Sequence, residues 1–81
     1  MSFQTKFIKE MENKGYLVLK TIRLNKTGFP DVIMLKAGKT TFVELKEGND
    51  TLKPLQKARI DELRQQGFEA YCLHNKKGIV Y

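Results

Sequence analysis

Three side chains raise a chemical question before any fold is assigned. Asp31 opens one apolar run, "DVIMLK", while Glu44 and Lys46 interrupt a second, "TTFVELK". Only "AGK" separates the two runs. If Ala37 and Gly38 close a two-residue hairpin, Lys36 faces Lys39, and the numbers of facing residues add to 75. Asp31 then lies directly across from Glu44, with Cβ atoms about 5 Å apart. A four-residue loop keeps this register, whereas loops one residue shorter or longer shift it. Two ionised carboxylates so placed repel each other, and a cation between them removes the repulsion. Lys46 comes two residues after Glu44 and shares its face of the strand. The trio is therefore suited to gripping a hard cation beside an ammonium group. Each half alone also reads as plain structure: Asp31 as a loop cap after Pro30, and Glu44 with Lys46 as a surface ion pair.

The elements that must hold these residues follow from spacing. Phe3, Phe7, Ile8 and Met11 in "FQTKFIKEMENK" recur at helical intervals, and Gly15 stops the helix. "YLVLKTIRL" reads as a strand and "NKTGFP" as a loop. The hairpin follows, then a second loop, "EGNDTLK". Pro54 opens a helix, "PLQKARIDELRQQ", which Gly67 closes. "FEAYCL" is a further strand, "HNKKG" a turn, and "IVY" leaves room for a short terminal strand. The order α-β-β-β-α-β predicts an α/β fold, a mixed sheet flanked by helices. Val32, Met34, Val43 and Leu45 line one sheet face, and Ile33, Leu35 and Phe42 share the other with the charged trio. This pattern predicts a sheet buried on both faces near the turn, with the charges gathered at the far strand ends.

Bulk properties narrow the classes. At 81 residues, one domain spanning 1–81 is expected. So small a core gains from a metal or a partner chain. Cys72 is the only cysteine, so no disulfide forms within one chain, and a free thiol suits a reducing interior. Cys72 itself reads as a small core residue. The N-terminus is too polar for a signal peptide, and no apolar run approaches the roughly 18 residues of a membrane span. A soluble, intracellular protein is expected. The formal charge of +6, with 15 Lys and Arg against 9 Asp and Glu, favours a polyanionic partner, nucleic acid before acidic lipid. No strongly amphipathic basic helix with large aromatics supports a lipid surface.

On these residues the chain resembles the PD-(D/E)XK nuclease superfamily, and within it the small stand-alone VRR-NUC domains. The resemblance rests on Gly28, Pro30, Asp31, Gly38, Glu44, Lys46 and Gln56, and runs from the first helix to "YCLH". It implies a restriction-endonuclease-like sheet and a metal-dependent, dimeric nuclease acting on branched DNA such as Holliday junctions. It also suggests a phage or mobile-element source. Asp31 and Glu44 would hold Mg²⁺ or Mn²⁺, the hard ions that oxygen ligands favour, with the Leu45 carbonyl as a further ligand by resemblance. One cysteine and one histidine cannot form the usual zinc site, and His74 reads as a surface turn residue.

The family often carries an acid in its first helix. The corresponding position here is Gln4, with Glu10 or Glu12 as substitutes if the helix is shifted. Lys46 is expected to stabilise charge at the phosphorus, and a general-base role stays open. By resemblance the products carry a 5′-phosphate and a 3′-hydroxyl. Gln56 shares a helix face with Ile60 and Leu63, and reads equally as a catalytic amide and as a satisfied core glutamine. Arg23, Lys26, Lys53, Lys57, Lys76 and Lys77 are candidate phosphate contacts, at least half of them expected to be merely solvated. No base-reading motif is present, which points to recognition of DNA shape. Two other functions remain open at this level: a non-catalytic nucleic-acid-binding module of the same fold, and an exonuclease or nicking nuclease.

Overall fold

A computed structural model describes residues 1–81. Helix α1 (Phe3–Asn13) starts at Ser2, whose hydroxyl accepts the Thr5 N–H at 3.2 Å. Strand β1 (Leu17–Lys20) follows, then the hairpin β2 (Val32–Lys36) and β3 (Lys39–Lys46). Helix α2 (Pro54–Gln65) crosses over to β4 (Glu69–His74), and β5 (Gly78–Ile79) ends the sheet. Spatial order equals chain order, β1-β2-β3-β4-β5. All pairs are antiparallel except β3 with β4, which the α2 crossover makes parallel. The expected mixed sheet, element order and terminal strand are all present.

The hairpin closes on Ala37 and Gly38, with φ of 52° and 78°. Two consecutive left-handed residues suit the twist of a two-residue hairpin. Lys36 pairs with Lys39 and Val32 with Val43, so the anticipated register holds along the ladder. Alternation then divides the core. Val32, Met34, Val43 and Leu45 pack beneath Phe7 of α1 on one face. Phe42, Ala70 and Cys72 pack beneath Ile60 of α2 on the other.

Two expectations need correction. The first strand stops at Lys20 rather than running through Leu24. Thr21 adds one more bond, its N–H donating to the Asp31 carbonyl at 2.9 Å. The next partner would be Pro30, which has no N–H to continue the ladder. The second concerns burial along β3. Lys39 at the turn is exposed, whereas every residue from Thr41 to Lys46 is buried. Pairing with β4 begins at Thr41, so the hairpin tip projects past its neighbour and the charged end lies inside.

Candidate active site

Continuing the β2–β3 register by one pair sets Asp31 beside Glu44 at the edge of the ladder. On the outer side, Thr21 fixes this point through the Asp31 carbonyl and through a hydroxyl bond to the Pro30 carbonyl at 2.5 Å. On the inner side Glu44 pairs with Cys72 of β4. Asp31 Oδ2 accepts the Leu45 N–H at 2.8 Å, which anchors one carboxylate oxygen. Glu44 is only 3% exposed. Its pKa is pushed up to about 7, first by burial and then by the Asp31 carboxylate, which repels the ionised form and hydrogen-bonds the protonated one. Lys46 opposes this rise from 3.5 Å away. Burial also raises the Cys72 thiol, and Glu44 adds to the shift.

Lys46 is as buried as Glu44 and has a second carboxylate partner, Asp50 Oδ2 at 3.3 Å. That bond holds Asp50 below the usual carboxylate range. Asp50 comes from the loop after β3 and also meets Lys53 at 3.4 Å. Asp31, Glu44, Lys46 and Asp50 thus form a continuous chain of charges with a formal sum of two negatives. A cleft of about 210 Å³ adjoins it, bordered by Lys46, Asp50, Thr51, His74 and Lys77.

The VRR-NUC domain profile matches residues 4–77. The chain belongs to the VRR-NUC family. Among solved structures it is similar to a "VRR_NUC domain" at 28% identity and TM-score 0.74, covering 85% of this chain and 76% of that one. A "VRR_NUC domain protein" is similar at 27% identity and TM-score 0.55, over 90% of this chain and 53% of that one. The chain therefore spans about half of that second protein. No curated protein matches it in sequence.

A VRR-NUC domain is a nuclease-family domain, and such folds typically use divalent metals, so the donors present deserve a test. No group of three or more His, Cys, Asp or Glu side chains gathers anywhere. What the chain offers is the Asp31–Glu44 pair, in which burial first and then the neighbouring Asp31 carboxylate raise the Glu44 pKa. Both are hard oxygen donors. Mg²⁺ commonly takes one or two carboxylates and fills the remaining positions with water and phosphate. The pair fits that requirement.

The other sequence candidates are distributed as follows. Helix α1 packs on the sheet face opposite Glu44, and neither Gln4 nor Glu10 bonds to the charged chain. Glu10 pairs instead with Lys14 at 3.4 Å on the surface. Gln56 is half-buried, and its Oε1 accepts the Lys53 N–H at 3.0 Å, capping its own helix. Arg23, Lys26, Lys53, Lys57, Lys76 and Lys77 are all exposed, and Lys57 lies over the Tyr81 ring.

His74 is not a surface turn residue. It ends β4, is 6% exposed, and sits in register with Lys46. Its Nδ1 accepts the N–H groups of Lys76 and Lys77 at 3.1 and 3.3 Å. That leaves the proton on Nε2, which donates to the Gly48 carbonyl at 2.9 Å. His74 therefore ties the final turn to the loop that carries Asp50. Sequence reading missed Asp50 itself; its only signal was an acid four residues past Lys46.

Proposed function

We propose that this chain is a divalent-metal-dependent, structure-specific DNA endonuclease that hydrolyses phosphodiester bonds in branched DNA such as Holliday junctions. The observation that carries the reading is a buried Glu44, protonated up to about pH 7, held against Asp31 with Lys46 at 3.5 Å. Purely structural use of such a group is costly, whereas functional sites regularly contain it. Asp31, Glu44 and the Leu45 carbonyl would hold Mg²⁺ or Mn²⁺. When bound, that ion supplies Lewis-acid polarisation of the phosphodiester and acidifies the attacking water.

The chain's own residues do the rest. The Leu45 N–H holds Asp31 by its Oδ2, so that the Asp31 carboxylate would be oriented to help hold the ion. Glu44 would hold the ion as a carboxylate, having given its proton to solvent. Asp50 then keeps the Lys46 ammonium in place, where it stabilises the negative charge growing on the phosphorus oxygens. Water adds to phosphorus and gives up one proton to solvent, the bond to the 3′-oxygen breaks, and that oxygen takes up one proton from solvent. The products are a 5′-phosphate and a 3′-hydroxyl. Gln56 Oε1 is committed to its helix cap, so any part it takes in catalysis falls to its amide nitrogen. Arg23, Lys26, Lys53, Lys57, Lys76 and Lys77 supply phosphate contacts, so binding weakens steeply with salt.

The chain acts as a twofold homodimer in this reading. Support comes from edge strand β1, which exposes Leu17 at 59% and Leu19 at 43%. A twofold contact through these leucines would extend a small core. No helix is long and apolar enough to cross a membrane, and the free, buried Cys72 suits action inside a cell.

The test is cleavage of a four-way junction beside linear and nicked duplexes, with Mg²⁺ or Mn²⁺. Junction cleavage is expected, with Asp31→Ala and Glu44→Ala each losing about 10²-fold or more. Undiminished activity in either variant, or in EDTA, discards the reading. The absence of a third acidic ligand favours one alternative, a DNA-binding module without catalysis. Tight junction binding with no product under any divalent ion would establish it.

A further inference from the structure

Ile22 is 87% exposed, more than any other large apolar side chain of the protein, and Leu24 beside it is 50% exposed. Scattered apolar residues on a surface need no explanation. This one differs in its surroundings. It is followed by Arg23 and Lys26, and no Asp or Glu occurs anywhere from residue 13 to residue 30. The loop is also held at several points. Thr21 is bonded to Asp31 and Pro30, and Arg59 of α2 donates to the Thr27 carbonyl at 2.9 Å. Gly28, with φ of 80°, sits so close to α2 that an added Cβ would lie 2.9 Å from Leu55 Cγ. Thr21, Asp31 and Glu44 lie side by side on successive chains, which places the root of the tip about 10 Å from Glu44. At a rise of 3.4 Å per nucleotide, that is about three base steps along bound DNA.

We propose that Ile22 is an apolar wedge, flanked by the cations Arg23 and Lys26, that enters the base stack of DNA near the phosphate held by Asp31 and Glu44. The inference rests on the nuclease reading and deepens it by naming what selects the substrate. Prying open a continuous stack costs energy that a branch or a nick has already spent. A fixed wedge therefore favours DNA with an open step and needs no base-specific contact. Charge argues for DNA over a second copy of the chain as occupant. A twofold contact through this loop would press Arg23 and Lys26 against their own copies with no acid in the loop to neutralise them, and the nearby Glu62 is already paired with Arg59. A phosphate backbone neutralises them directly.

The test uses a four-way junction with 2-aminopurine at the branch, bound in EDTA so that the readout does not depend on cleavage. Wild type should change the 2-aminopurine fluorescence on binding and prefer the junction over linear duplex. Ile22→Ala should lose the fluorescence change and lower that preference about tenfold. Ile22→Leu should restore both, and the solution mass by light scattering should stay unchanged throughout. Retention of signal and preference in Ile22→Ala overturns the proposal. So does a change of solution mass in that variant, which would assign the tip to an interface between copies. A wild-type fluorescence change that Ile22→Ala loses supports the wedge even if Mg²⁺ brings no cleavage, in which case only the nuclease reading fails. A wild type that ignores branched DNA overturns both.

Discussion

The β2–β3 hairpin carries charges at both ends and treats them in opposite ways. At the tip, Lys39 meets Glu69 of β4 at 2.6 Å, with both side chains more than half exposed. At the other end, Lys46 meets Glu44 at 3.5 Å with both almost wholly covered. The shorter bridge is the weaker contributor, because water and salt screen exposed pairs. The longer one bears the desolvation of two charges, and burial is the first cause of the Glu44 shift. Distance alone therefore misleads. The fold accepts an electrostatic cost only where Asp31 and Asp50 extend the pair into a chain of charges, the arrangement the proposed chemistry needs.

Three effects sharpen that contrast, beginning with the largest. Lys46→Met should cost about 3–5 kcal/mol at pH 8 by urea unfolding, since it strands a buried carboxylate. Below pH 6 the loss should shrink as Glu44 takes up a proton. Lys39→Met should leave the unfolding midpoint unchanged, and equal losses at the two ends would erase the distinction.

The second effect is pH dependence. The folded-state pKa of Glu44 lies above its unfolded value of 4.5, so the folded protein binds the extra proton. Its contribution is present below pH 4.5 and is lost as pH rises to about 7. Wild type without metal should lose up to roughly 3 kcal/mol across that window. Glu44→Gln should flatten the slope when both are followed by urea unfolding at stepped pH. The smallest effect belongs to the tip. Ala37→Gly should stabilise by about 0.5–1 kcal/mol, because Ala37 holds a left-handed φ of 52° that glycine adopts without penalty.

Much of this arrangement was readable from residue spacing. Turn length and strand alternation were enough to assign the register, because a shift of one residue would have moved every apolar side chain to the wrong face. "AG" is a poor turn signal, yet Gly38 and the small Ala37 tolerate the conformation. The end of β1 was not readable within its own run, since "YLVLKTIRL" stays apolar past Lys20. The stop lies in the neighbouring chain, at Pro30. His74 was misjudged because its position beside a turn suggested solvent. Its role comes instead from the turn's need for a buried acceptor for two N–H groups. Asp50 escaped because a loop, not a strand or helix period, returns it to Lys46. The cap role of Gln56 had a trace in its position three residues after Lys53, although lysine is an unusual residue to precede such a helix.

The central claim is that Asp31 and Glu44 share one divalent cation. Titration of Mn²⁺ into the metal-free protein at pH 8, followed by calorimetry, tests it without any DNA. One ion bound per chain in wild type and none in Glu44→Gln is the predicted result. Equal binding by both proteins, or no binding by wild type, would contradict the account.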